Sequence, residues 1–242
     1  MSRYQTVLLD ADMTLMDFHR SEREALREVF TRRGYDFGPE EEALYQKINN
    51  ALWDAFARGE IDQDFLGVER FAAFMRVRGG NHDPRAWNWE FVNTVGKGAY
   101  LLPGAWEFCE KLNAMGLTLA IATNGMPAAQ RGRYEGTHLN TLIPNLFISM
   151  ELGVQKPMPG FFDKVCEALH ITDRSTVVMV GDGLSSDILG GNRAGIDTIW
   201  YNPHNQPLTG PARPTYTAAS YDDIIHILES PNPTSLTHFC QN

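Results

Sequence analysis

Five short runs recur along this chain: Thr6 to Leu9, Leu117 to Ala122, Leu146 to Ser149, Thr176 to Val180 and Thr198 to Tyr201. Their apolar residues run together instead of alternating with polar ones, the pattern of strands buried on both faces. Helical patterns lie between them, at Ala105 to Met115, Pro159 to His170 and Ser185 to Ala194. Strand and helix in alternation predict an α/β core, a Rossmann-like parallel sheet with helices on both sides. Ligands of such cores sit at the C-terminal ends of the strands.

One segment departs from the alternation. From Asp17 to about Ala99 the pattern is helical, with no convincing strand. Pro39 followed by Glu40, Glu41 and Glu42 reads as a helix start, with proline in the first turn and acids at the positive dipole end. Asp83-Pro84 reads the same way with Asp83 as N-cap, and Gly96 or Gly98 would stop that helix. The expected division is a core of residues 1–16 and 100–230, a helical cap inserted at 17–99, and a loosely docked tail at 231–242. Asp17 with Phe18, and Tyr100 to Pro103, are the expected hinge crossings.

Charge and composition narrow the partners. The net charge is 21 − 30 = −9, which argues against a nucleic-acid polymer and against an anionic membrane surface. A small polyanion remains a possible ligand, because a local site can be cationic in an acidic chain. No run approaches the roughly 18 apolar residues of a membrane span. The N-terminus is also too short in apolar residues for a signal peptide, so the expected location is the cytoplasm. Cys109, Cys166 and Cys240 form no CxxC pair and no even disulfide set. Oligomeric state is left open by these features.

The chemistry gathers where the strands end. After Thr6 to Leu9 come Asp10, Ala11, Asp12, Met13 and Thr14; after the second run come Thr123, Asn124 and Gly125. Beyond the third lie Gln155, Lys156 and Pro157, and after the fourth Gly181, Asp182, Gly183 and, further on, Asp187. A parallel sheet would bring Asp10, Asp12, Thr123, Lys156, Asp182 and Asp187 together. Four carboxylates in one small site require cations. Lys156 supplies one charge, and a hard divalent metal with oxygen ligands, best magnesium, would supply the rest.

Those motifs, in that order and on those elements, resemble the haloacid dehalogenase superfamily of phosphatases over roughly residues 1–16 and 100–205. The stretch from Gly181 to Pro203, together with Leu15-Met16-Asp17-Phe18, is similar to the bacterial pyrimidine 5′-nucleotidase branch. The resemblance implies a magnesium-dependent phosphomonoesterase whose substrate is a small phosphomonoester, a nucleoside 5′-monophosphate with a pyrimidine base. In that reading Asp10 is the nucleophile that becomes an aspartyl-phosphate, and Asp12 is the general acid and base. Thr123, with backbone N–H groups around Ala11 and Asn124, would bind the phosphate, and Lys156 would neutralise both nucleophile and phosphoryl oxygens. Asp10, the Asp12 carbonyl and Asp182 would hold the magnesium, with Asp187 binding directly or through water.

Single residues have plainer readings. Thr123-Asn124-Gly125 could be only a turn, Lys156 a solvated loop lysine, and Asp187 a helix cap. The conjunction favours chemistry. A sugar-phosphate or phosphoglycolate phosphatase is the runner-up, and a phosphomutase would keep the same core residues. A haloacid dehalogenase would need neither Asp12 nor the acidic pair Asp182 and Asp187. A receiver-type switch would carry its phosphorylated aspartate after a middle strand, where this chain has Thr123-Asn124. Among the cap aromatics Trp53, Phe56, Phe65, Phe71, Phe74, Trp87 and Trp89, helical spacing makes core packing the expectation, with one or two free to stack on a base. His19 reads as a surface residue.

Overall fold

The computed structural model describes residues 2–230; the tail at 231–242, with Cys240, lies outside the described residues. In chain order β1 (Thr6–Leu9) is followed by α1 (Phe18–Thr31), α2 (Pro39–Ala57), α3 (Gln63–Arg78) and α4 (Pro84–Lys97). Then come α5 (Ala105–Ala114), β2 (Thr118–Thr123), α6 (Pro127–Gly136), β3 (Asn145–Ile148), the single turn α7 (Ser149–Leu152) and α8 (Pro159–Ala168). The last stretch holds β4 (Val177–Gly181), α9 (Leu189–Ala194), β5 (Asp197–Tyr201), β6 (Tyr216–Ala218) and α10 (Tyr221–Glu229). Two compact units result: one from residues 2–17, 101–125 and 137–230, the other from residues 18–100 and 126–136.

The first unit is a six-stranded sheet in the order β3-β2-β1-β4-β5-β6, parallel throughout. All four residues of β1 and all five of β4 are buried, as continuous apolar strands demand. On one face Phe161, Phe162, Val165 and Cys166 of α8 pack with Leu8, Ala120, Ala122, Val177 and Met179. The chain leaves β1 toward β2 and β3, then returns to β4 on the opposite side of β1. That reversal is the switch point where α/β sheets open a crevice for ligands. Register aligns Leu9 with Ile121 on one neighbour and with Val180 on the other. Asp10, one residue later, therefore stands level with Ala122 and Gly181.

Sequence patterning missed three features of this unit. Strand β6 is only three residues, an edge segment whose central Thr217 is exposed, too short for a periodic signal. Helix α10 is amphipathic and opens on a capping box, in which Ser220 and Asp223 bond each other's backbone. The expected helix from Ser185 starts with one widened turn, Leu184–Ile188, in which the Ile188 N–H reaches the Gly183 carbonyl at 3.2 Å. Regular α-helix follows from Leu189.

The second unit packs five helices around an aromatic core. Phe30, Tyr45, Phe71, Phe74, Trp87 and Phe91 are buried together, with Phe71 stacked on Trp87 at 4.8 Å. Asp62 and Asp83 cap α3 and α4 by accepting from Phe65 N–H and Arg85 N–H. Gly98, not Gly96, ends α4. The expected cap boundaries left residues 126–136 in the core, yet α6 packs with α4 in this second unit. The reason is steric: a Cβ on Gly132 would lie 2.6 Å from the Gly96 carbonyl oxygen, and one on Gly96 would lie 2.9 Å from that of Ala128. Two glycines let the helices meet backbone to backbone, and any side chain there would push them apart.

Candidate active site

Beyond Leu9 the chain leaves the sheet and curls. Leu15 and Met16 N–H both return to the Ala11 carbonyl, at 3.0 and 2.9 Å, and Met13 adopts a left-handed φ of 58°. The curl keeps Asp12 near enough for its charge to bear on both Asp10 and Asp182. Ala11 is fully buried under it.

Lys156 is no solvated loop lysine. It is 1% exposed, and its ammonium donates to Asp10 Oδ1 at 2.6 Å, Asp187 Oδ1 at 2.6 Å and the Ala122 carbonyl at 2.5 Å. Three N–H donors meet three acceptors, so the ammonium is saturated within the protein. Contact with phosphoryl oxygens, expected from the motif, would require exchanging one of these bonds. The side chain of Asn124 fixes the lysine's peptide from both ends, accepting from Lys156 N–H at 3.0 Å and donating to its carbonyl at 2.8 Å. Thr123 Oγ1 accepts from Gly125 N–H at 3.0 Å, which leaves its own hydroxyl proton available to donate.

Asp187 is fully buried because two glycines make room for it. A Cβ on Gly181 would overlap its carboxylate, and one on Gly183 would come within 2.9 Å of Oδ2. Gly183 N–H instead donates to that oxygen at 3.0 Å. Asp187 does not cap the following helix; it points inward from the widened turn toward Lys156. Asp182 is held by its backbone, its N–H reaching Thr14 Oγ1 at 3.2 Å and its carbonyl accepting from Trp200 Nε1 at 3.0 Å. The Thr14 hydroxyl also lies 3.4 Å from Asp182 Oδ1. Thr14 and Trp200 carried no signal of their own in the sequence.

Electrostatics follow from this crowding. Burial pushes the Asp10 carboxyl well above the ordinary range; Lys156 opposes that, and the charges of Asp187, Asp182 and Asp12 add to it. Burial, followed by the charge of Asp187, raises Asp182 to about 7. Burial alone would lower Lys156, but the charges and hydrogen bonds of Asp10 and Asp187 more than offset it, so the ammonium stays protonated. With all four acids ionised against one lysine the formal charge would be −4 + 1 = −3, and this repulsion adds to burial in raising Asp10 and Asp182. Oxygens of Asp10, Asp182 and Asp187 lie within 4.8 Å of one another. An all-oxygen donor set with excess negative charge fits a hard divalent cation.

Comparison with known proteins agrees with the geometry. Residues 4–195 match the haloacid dehalogenase-like hydrolases, and the chain belongs to that family. It is 32% identical to the HAD-hydrolase YfnB of Bacillus subtilis over 97% of this chain and 100% of that one. The magnesium-bound crystal structure of YfnB superposes with a TM-score of 0.88, covering 94% of this chain and all of the other. The pyrimidine 5′-nucleotidases PynA of Streptococcus pneumoniae and YjjG of Escherichia coli are each 33% identical over 93% of this chain, and over 95% and 98% of their own lengths. The protein is thus an enzyme, a hydrolase with the α/β fold of that family. Among the described residues no helix is long and apolar enough to cross a membrane.

Proposed function

We propose that this hydrolase removes phosphate from a nucleoside 5′-monophosphate with a pyrimidine base, with magnesium and through an aspartyl-phosphate on Asp10, in the cytoplasm. One observation carries the chemical part: Asp10, Asp182 and Asp187 form a cluster of oxygen donors with Lys156 as counter-charge. The base preference is supported by the two nucleotidase relatives at 33% identity across nearly the whole chain.

In this reading Asp10 uses the carboxylate oxygen not bonded to Lys156 to attack phosphorus, and the bond from phosphorus to the ester oxygen breaks. Asp12, as the carboxylic acid, gives its proton to that departing oxygen. The resulting carboxylate then takes a proton from water, which attacks the phosphorus of the acyl phosphate and frees both phosphate and Asp10. The Thr123 hydroxyl and the backbone N–H groups of the loops beyond β1 and β2 bind the phosphoryl oxygens. Lys156 favours the ionised form of Asp10 against the effect of burial, and aims its carboxylate. Magnesium, held by Asp10, Asp182 and the Asp12 carbonyl with Asp187 directly or through water, would supply positive charge that lets an anion approach an anion.

The helical unit carries the aromatic rings singled out above. Of its seven singled-out aromatics, Phe71, Phe74 and Trp87 are fully buried and Phe56 nearly so. Trp89 is 70% exposed, Phe65 51%, and Trp53 half-buried, so core packing does not take up these three rings. The test is kcat/KM for UMP, dUMP, dTMP, AMP, a hexose phosphate and phosphoglycolate at saturating magnesium. Pyrimidine nucleotides should lead. A sugar phosphate or phosphoglycolate ahead by about tenfold, roughly 1.4 kcal/mol of transition-state preference, would replace the nucleotide assignment and leave the phosphatase chemistry standing.

A further inference from the structure

The C-terminal stretch, beyond the residues that match the family, reaches back to the strand-end loops at two points. Trp200 lies in β5 beside Gly181, and its indole N–H donates to the Asp182 carbonyl at 3.0 Å. Tyr221 is the first residue of α10, and its hydroxyl donates to the Thr14 carbonyl at 2.8 Å across 207 residues of chain. Thr14 in turn accepts from Asp182 N–H through Oγ1. Asp182 is therefore gripped at its N–H by Thr14 and at its carbonyl by Trp200, while Thr14 itself is anchored by Tyr221.

Tyr221 is built to hold still. The Ser220 and Asp223 capping box sets the start of its helix. Its ring lies between two others, stacked on Phe108 at 4.6 Å and 15° and on Tyr201 at 5.1 Å and 6°. An aromatic stack of this kind immobilises a ring with only two side-chain torsions to freeze. The hydroxyl at its tip is then a fixed donor. For a residue needed only to fill space between Phe108 and Tyr201, phenylalanine would serve as well, and an indole N–H aimed at a backbone carbonyl is likewise more than packing requires.

We infer that Tyr221 and Trp200 are positioning residues that brace the Asp10–Thr14 loop and Asp182, and so set the affinity of the site for its divalent cation. Neither touches substrate in this scheme; both act through Thr14 and Asp182. The inference rests on the reading of Asp182 as a metal ligand.

The experiment uses the full-length protein with Tyr221→Phe and Trp200→Phe, each of which keeps a ring and removes one donor. Magnesium binding is measured by titration calorimetry, alongside Tm and steady-state kinetics. Each variant should raise the magnesium Kd about three- to tenfold, as loss of one hydrogen bond of ordinary strength would. At subsaturating magnesium the apparent kcat should fall by a similar factor, while at saturating magnesium both kcat and substrate KM stay within about twofold of wild type. A merely structural role would lower Tm and leave the magnesium Kd at the wild-type value, and that result in both variants would overturn the brace. Trp200→Phe stands alone as the test if Tyr221→Phe does not fold. A wild-type protein that hydrolyses phosphate esters while both variants match it overturns the brace only. A wild-type protein that binds no magnesium overturns the brace together with the reading on which it rests.

Discussion

Lys156 and Asp10, 146 residues apart in sequence, form an ion pair of 2.6 Å in which the lysine side chain is 1% exposed. The same ammonium holds Asp187 at 2.6 Å. Removing one partner of a buried pair leaves the other charge without compensation, at a cost of about 3–5 kcal/mol. Lys156→Met should therefore lower Tm by roughly 6–20 °C in metal-free buffer, at about 2–4 °C per kcal/mol for a chain of this size. The loss should shrink as pH falls, because Asp10 and its neighbours then protonate. A Tm within about 2 °C of wild type near pH 8 would show that the pair is not buried as described.

Asp10→Asn should still fold, because the amide keeps the shape and Lys156 retains Asp187 as its partner, but it should turn nothing over for want of the proposed nucleophile. Circular dichroism and phosphate release on the same sample check both halves. Phosphate release at more than about a thousandth of the wild-type rate, some 4 kcal/mol of barrier, would assign the attack to another group.

Asp12→Asn separates the two halves of the reaction. With a good leaving group the first displacement needs little proton donation, so phospho-enzyme should accumulate, while its hydrolysis stalls for want of a base. Mass spectrometry should find the phosphoryl group on the peptide containing Asp10. Wild-type turnover of an alkyl phosphate by this variant would remove Asp12 from its role.

Magnesium should stabilise the fold more at high pH than at low. Asp182 sits at about 7 because burial, followed by the charge of Asp187, opposes its ionisation. A folded-state pKa above the ordinary carboxylate value of about 3.8 means that this group costs the metal-free fold stability as pH rises from about 4 through about 7. Only the ionised form binds metal, so binding offsets that cost and releases protons. The Tm increment at a fixed, subsaturating magnesium level should grow from about pH 5.5 to about pH 8. An increment independent of pH would take Asp182 out of the metal's coordination.

The sheet and the strand-end residues could be read from the sequence because strands buried on both faces leave uninterrupted apolar runs, and the chemistry follows directly on each run. Asp10, Thr123 and Asp182 are brought to the site by where β1, β2 and β4 stop. What could not be read depends on tertiary contact. The saturation of Lys156 needs three partners from three segments, and no local pattern reports them. Asn124 looked like a turn residue, but its amide is engaged with a peptide 32 residues away. Helix α6 joins the helical unit through Gly96 and Gly132, two glycines 36 positions apart whose pairing only the fold makes visible. Tyr221 and Trp200 act through a hydroxyl and an N–H on residues that sequence patterning counts simply as apolar.

The most direct test is phosphate release from an aryl phosphate and from dUMP by the purified protein, before and after chelation and again after magnesium is restored. Release should vanish with the chelator, return with magnesium, and be absent throughout from Asp10→Asn. Hydrolysis that survives complete chelation at the wild-type rate would contradict a metal-assisted site built on Asp10, Asp182 and Asp187.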